Sequence, residues 1–250
     1  MCYEVFTGIF KTKDFNRNQK PSGGHFVIHY SSALKEKTFK DIAKNLDENF
    51  DSVCDFHSLS EEEKKNLITN IYIYDEQGLF LLCSFCNKEY FWALGQGGNK
   101  EINLANPQKV PYEEQIQCAL HEFVHVVTFL DNDYDNRRFG WVNEGIAMYL
   151  AGQKPTEQDL KDAFNSPLNE ENLNIIFGDD YDKFCKISGH TYSYLIIDFI
   201  MNNAEFGKEK LQKILRELQI SPFEILGVSK EEFQQGWIKF FETKYGANVS

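Results

Sequence analysis

The sequence predicts an α+β chain in which an α/β first part feeds a mainly helical second part. Three observations carry this. Short β-rich runs at His25–Tyr30, Ile68–Tyr74 and Glu101–Ala105 all precede Pro111. A long segment of helical periodicity lies between the first two of them. Beyond Pro111, almost every apolar run has helical spacing. The change of character there divides one domain, residues 1–250, into an α/β lobe over 1–110 and a helical lobe over 111–250. A cleft between two such lobes is a natural ligand site.

The polar segment from Lys11 to Gly24 ends in Pro21-Ser22-Gly23-Gly24 and reads as a loop, followed by the strand His25–Tyr30. From Ala33 to Phe56, apolar Phe39, Ile42, Ala43, Leu46, Phe50, Val53 and Cys54 recur at a helical period, with charges on the other face. Ile68–Tyr74 is β-rich, and Asp75 to Gly78 should turn the chain. Gly95-Gln96-Gly97-Gly98-Asn99 reads as a loop introducing Glu101–Ala105, a short alternating run expected near a sheet edge. Helices are then expected over Tyr112–Leu130, Trp141–Ala151, Gly189–Ala204, Lys208–Leu218 and Lys230–Lys244.

Composition narrows the function classes. With 250 residues, 42% hydrophobic and 15% aromatic, the chain can bury a sizeable core without staples. A net charge of -12 disfavours nucleic acid and anionic membrane surfaces, which usually call for a basic patch. No stretch approaches the roughly 20 apolar residues needed to span a bilayer. Met1-Cys2-Tyr3-Glu4-Val5-Phe6 lacks a basic region before an apolar run, so it does not read as a signal peptide, and a cytoplasmic location is expected. The six cysteines (Cys2, Cys54, Cys83, Cys86, Cys118, Cys185) need form no disulfide framework at this length. Cys83-Ser84-Phe85-Cys86 is a lone CxxC without the second pair of a zinc ribbon, and idle thiols are the expectation.

His121-Glu122-Phe123-Val124-His125 decides the functional reading. It lies in a strong helix: Pro111 suits the first turn, Glu113 and Glu114 favour the positive end, and Ile116, Leu120, Phe123, Val127 and Leu130 are apolar. Residues four apart share a helix face, so both imidazoles can point at one zinc ion. Glu122 projects beside them and is placed to reach a water rather than the ion. A third ligand is needed. Glu144, the one acid in the apolar run Trp141-Val142-Asn143-Glu144-Gly145-Ile146-Ala147-Met148-Tyr149-Leu150, supplies it. A buried carboxylate is costly without a cation or strong hydrogen-bond partner, and Gly145 lets a second helix approach closely. HExxH alone arises by chance in some chains, and two helical histidines can equally be core or surface residues. Helical context, apolar flanks and an acid on a following apolar helix together favour the metal. His25 and His29, about 13 Å apart along a strand face, are too distant to share one. His57 ends a helix and suits its C-terminus. Cys118, one turn before His121, is expected to pack beside the site rather than ligate.

His121 to His125, with Glu144 nineteen positions after His125, resembles the gluzincin branch of the zincin metallopeptidases. Trp141-Val142-Asn143-Glu144-Gly145-Ile146-Ala147 is similar to the second motif of aminopeptidase-like gluzincins, and the element pattern from His25 to Tyr245 is similar to the small bacterial peptidases of the MA-like family. The resemblance implies a zincin-like fold: an N-terminal mixed sheet with helices, an edge strand shortly before HExxH, and a helical C-terminal lobe, with the active site in the cleft between. It implies one Zn2+ per chain held by His121, His125 and Glu144, Glu122 as general base, and a peptide or protein substrate. Relatives stabilise the oxyanion with a Tyr or His from a later helix; His190 and Tyr192 are the candidates here, with Tyr194 next. An extended peptide would pair along Glu101–Ala105, with Asn99 and the preceding glycines lining the cleft. An endopeptidase is expected. An aminopeptidase would carry a Gly-x-Met-Glu-Asn motif, which Gly97-Gly98-Asn99-Lys100-Glu101 does not match. A zinc-stabilised binding domain without catalysis is the other alternative, although it would not require Glu122.

Overall fold

The computed structural model describes residues 17–19, 24–30, 36–74, 94–105, 111–130, 139–166, 168–217 and 219–246. The chain divides into two compact units, Met1–Tyr134 and Asp135–Ser250. It is α+β, as expected.

Among its described residues the first unit holds a mixed sheet of five strands: β1 (Arg17–Gln19), β2 (Phe26–Tyr30), β3 (Thr69–Tyr74), β4 (Gly95–Gly98) and β5 (Glu101–Ala105), in the order β1-β2-β3-β5-β4. β2, β3 and β5 run parallel, and β1 and β4 add antiparallel at the two sides. The register sets Ile28 beside Ile71 and Ile71 beside Ile102, so one face carries a buried aliphatic row. Among the described residues, three helices accompany the sheet: α1 (Glu36–Phe56), α2 (Glu61–Asn66) and α3 (Tyr112–Thr128). The apolar stripe of α1 is buried as its periodicity predicts, from Phe39 through Ile42, Leu46 and Phe50 to Val53. Phe26, Phe50 and Phe123 meet at centroid distances of 5.9, 5.0 and 5.7 Å, joining β2, α1 and α3 in one core.

Three expectations change here. The polar stretch read as a loop contains β1, whose pairing with β2 is made by backbone and needs no apolar alternation. The glycine-rich run read as a loop is strand β4, paired Gly95 with Leu104 through Gly98 with Glu101. Glu101–Ala105 is therefore not the edge: among the described strands it lies between β3 and β4. Asn99 and Lys100, at φ of 49° and 60°, make the tight two-residue turn whose twist suits a hairpin. α3 packs with the sheet and α1, so the division between units falls after this helix, whereas the change in sequence character comes before it. The expected turn at Asp75 to Gly78 lies outside the described residues.

The second unit is helical among its described residues: α4 (Gly140–Leu150), α5 (Glu157–Asn165), α6 (Glu170–Ile176), α7 (Tyr181–Lys186), α8 (Gly189–Asn202), α9 (Gly207–Arg216), α10 (Pro222–Leu226) and α11 (Lys230–Tyr245). Of these, α5, α6, α7 and α10 are too short to show periodicity. Thr156, Asn169 and Asp180 start three of them, each side chain accepting from a backbone N–H three residues on. Trp141, Phe177, Phe233 and Trp237 form an aromatic core around α4 and α11. α4 and α8 approach so closely that a Cβ on Gly145 would stand 2.5 Å from the Ser193 carbonyl oxygen. Asp198 of α8, buried, receives Lys244 at 2.5 Å and the Tyr245 hydroxyl at 2.7 Å, tying down the end of α11. Among the described residues no helix is long and apolar enough to cross a membrane.

Candidate metal centre

α3 starts after Pro111, which stands at the N-cap, and carries Glu113 and Glu114 in its first turn. From Cys118 to Thr128 every residue is buried. One helical turn separates His121 from His125, and their Nε2 atoms lie 3.0 Å apart. Two imidazole nitrogens at ~2.0–2.1 Å from a tetrahedral ion would stand about 3.3 Å apart, so this spacing is close to a ligand pair's.

Glu122 is buried against β4. A Cβ on Gly97 would come within 2.2 Å of the Glu122 carbonyl oxygen. A Cβ on Gly95 would meet the Glu122 carboxylate and the Cys118 sulfur, at 2.5 and 2.8 Å. Gly95 and Gly97 are two apart and so share a strand face, and their bare backbone is the surface on which the Glu122 turn of α3 rests. Cys118 packs there as expected, and burial, with Glu122 nearby, pushes its thiol well above the usual range.

In the second unit, Glu144 sits on α4 with only 8% of its surface exposed. Tyr181, on α7, donates its hydroxyl to Glu144 Oε1 at 2.8 Å. His190, in the first turn of α8, places Nε2 3.4 Å from Glu144 Oε2. The tight Gly145–Ser193 crossing explains this placement: His190 lies one turn before Ser193 on the same face of α8, and Glu144 adjoins Gly145.

His121, His125 and Glu144 form a group that could hold a metal ion, with one ligand atom from each and all of these within 4.8 Å of one another. The donor set is two imidazoles and a carboxylate, nitrogen and oxygen ligands that suit a divalent metal ion.

Tyr192 requires a correction. It lies about 200° around α8 from His190, is buried, and donates its hydroxyl to the Ala163 carbonyl at 3.1 Å while its ring meets Trp237. It is a core residue, and the oxyanion role does not suit it. Tyr194 is buried beside Tyr149, with ring centroids 6.0 Å apart. Of the three candidates on α8, His190 is the one brought to Glu144.

The remaining histidines are structural. His25 stacks on Phe50 and His29 on Tyr72, at 3.8 and 4.6 Å. His57 does cap its helix, donating Nδ1–H to the Val53 carbonyl at 2.9 Å, with Nε2 3.0 Å from the Thr128 hydroxyl. Burial lowers its pKa to about 4, so it acts as a neutral ring rather than as a charge on the helix dipole. Cys54 and Cys118 are buried free thiols. The CxxC lies outside the described residues.

Sequence reasoning passed over two features of the site. Glycines at alternate positions of a β run mark close approach of another backbone, and that signal was present in Gly95 and Gly97. Tyr181 carried no local signal, since it meets Glu144 across 37 positions. No family model matches this chain, and no curated protein matches it either.

Proposed function

We propose that the protein is a zinc-dependent metallopeptidase of the gluzincin type, hydrolysing peptide bonds within a peptide or protein substrate. The observation that carries the reading is the gathering of the His121, His125 and Glu144 ligand atoms within 4.8 Å, with both histidines on the helix that also carries Glu122. On this reading the fold is zincin-like and one Zn2+ is held per chain. A bound zinc ion supplies what the side chains lack, Lewis acidity toward a carbonyl oxygen and a water acidified to a pKa of about 7.

The chain's own residues account for the rest. Glu122, held against β4, accepts the proton of the attacking water and delivers it to the leaving amine. His190 donates toward the developing oxyanion, a role its partial exposure and its place beside Glu144 support. β4, outermost of the described strands on its side, replaces Glu101–Ala105 as the edge along which an extended peptide would add. It carries no acid to capture a substrate amino terminus, which favours an endopeptidase over an aminopeptidase. Retention of Glu122 favours catalysis over zinc-stabilised binding, because ligation alone does not need it.

Elemental analysis of the purified chain, paired with cleavage of a mixed peptide library, tests the reading. One zinc per chain is expected, and Glu122→Gln should keep the metal while losing cleavage. A zinc content near zero rejects the site, and undiminished cleavage by the variant rejects the general base.

A further inference from the structure

Tyr181, a residue outside the sequence motifs, donates a full hydrogen bond to Glu144. Its ring is placed by two separate contacts. It stacks on Phe184 of its own helix, at 5.8 Å and an interplanar angle of 23°. It lies over the first residue of α4, where a Cβ on Gly140 would stand 3.4 Å from the ring. From there the phenol reaches one helical turn along α4, from Gly140 to Glu144. Phe184 is itself buried, and it packs so closely under Gly189 that a Cβ there would come within 2.6 Å of its ring. It also meets the His190 ring at 5.8 Å. One buried phenylalanine therefore backs both aromatic residues that face the Glu144 carboxylate.

We propose that Tyr181 is a positioning residue for the metal, fixing the rotation of the Glu144 carboxylate through its hydrogen bond to Oε1. The proposal rests on the zinc reading above. A carboxylate on a two-carbon stem rotates freely unless one oxygen is held, and the direction of its donor lone pairs rotates with it. A phenol braced by Phe184 and Gly140 removes that freedom before the ion arrives, so less ordering remains for binding to supply. Hydrogen-bonded partners of metal ligands commonly change metal affinity by ~10–100-fold when removed.

Zinc affinity, measured by competition with a chromophoric chelator on the full chain, reads the effect directly. Tyr181→Phe keeps the ring and its packing and removes only the hydroxyl. It should bind one zinc with affinity lowered about 10–100-fold, and the cobalt-substituted protein should show shifted d–d absorption bands. In a Glu144→Ala background, where the two histidines retain weak zinc binding, Tyr181→Phe should change affinity no further. Wild-type affinity and an unshifted cobalt spectrum in the single variant would overturn the proposal while leaving the zinc site standing. An equal loss in both backgrounds would also overturn it, since that marks a general structural effect. Absence of zinc binding by the unmodified chain would instead reject the metal reading, and Tyr181 with it.

Discussion

Gly95 leaves the space that the Glu122 carboxylate occupies: a Cβ there would fall 2.5 Å from Oε1 and 2.6 Å from Cγ. Substitution with alanine must therefore displace the side chain assigned as general base, while the helix backbone stays where it is. Gly95→Ala is expected to retain zinc and lose about 100-fold in peptide cleavage, the order of effect that a misplaced catalytic group produces. Steady-state rates and metal content measured on one preparation decide it; unchanged turnover would refute the seat.

Gly97→Ala should behave differently. There the added carbon meets the Glu122 carbonyl oxygen at 2.2 Å, and backbone cannot swing aside as a carboxylate can. A loss of about 1–3 kcal/mol of stability is expected from overpacking, read by urea denaturation. Gly145→Ala meets the Ser193 carbonyl oxygen at 2.5 Å and should lose a similar amount. If both variants unfold at wild-type urea concentrations, the close approaches are not tight.

His57 makes stability depend on pH. Its folded pKa of about 4 lies below the 6.5 of a free imidazole. The ring is neutral in both states above pH 6.5, so its contribution is fully present there. As pH falls from 6.5 toward 4 the unfolded chain binds the proton first, and stability is lost. At ~1.4 kcal/mol per unit the loss amounts to at most a few kcal/mol. Denaturation of chelator-treated protein between pH 7 and pH 4.5 should show this fall, and His57→Gln should flatten it; parallel curves for the two proteins would count against the assignment.

Zinc removal should lower thermal stability. Free zinc at ~100 times its dissociation constant adds about 2.7 kcal/mol to the folded state, which for a chain of this size corresponds to roughly 5–10 °C in Tm. Chelation should produce that drop in the wild type and none in His121→Ala. A chelator-insensitive melting curve would exclude metal-linked folding.

The parts of the site readable in sequence are those fixed by one helix. The four-residue spacing of His121 and His125 places both on one face before any tertiary contact forms, and Glu144 stands out as the single acid of an apolar helix. The sheet was half legible. β2, β3 and β5 bury side chains and therefore carry a pattern, whereas β4 is mostly glycine and pairs through its backbone. His190 and Tyr192 show the same boundary. Their spacing of two places them on opposite sides of α8, but which side meets Glu144 depends on the crossing at Gly145 and Ser193, a contact between helices. Tyr181 depends on a long-range meeting of the same kind.

Two of the chain's three tryptophans, Trp141 and Trp237, are fully buried in the aromatic core of the helical unit, and neither indole N–H has a hydrogen-bond partner among the described residues. Buried indoles emit at short wavelength and redden sharply once exposed to water. Trp141 lies on the same helix as Glu144, three residues before it. The protein thus contains an intrinsic optical reporter: a red shift in emission would register loosening of the α4 core without any attached dye.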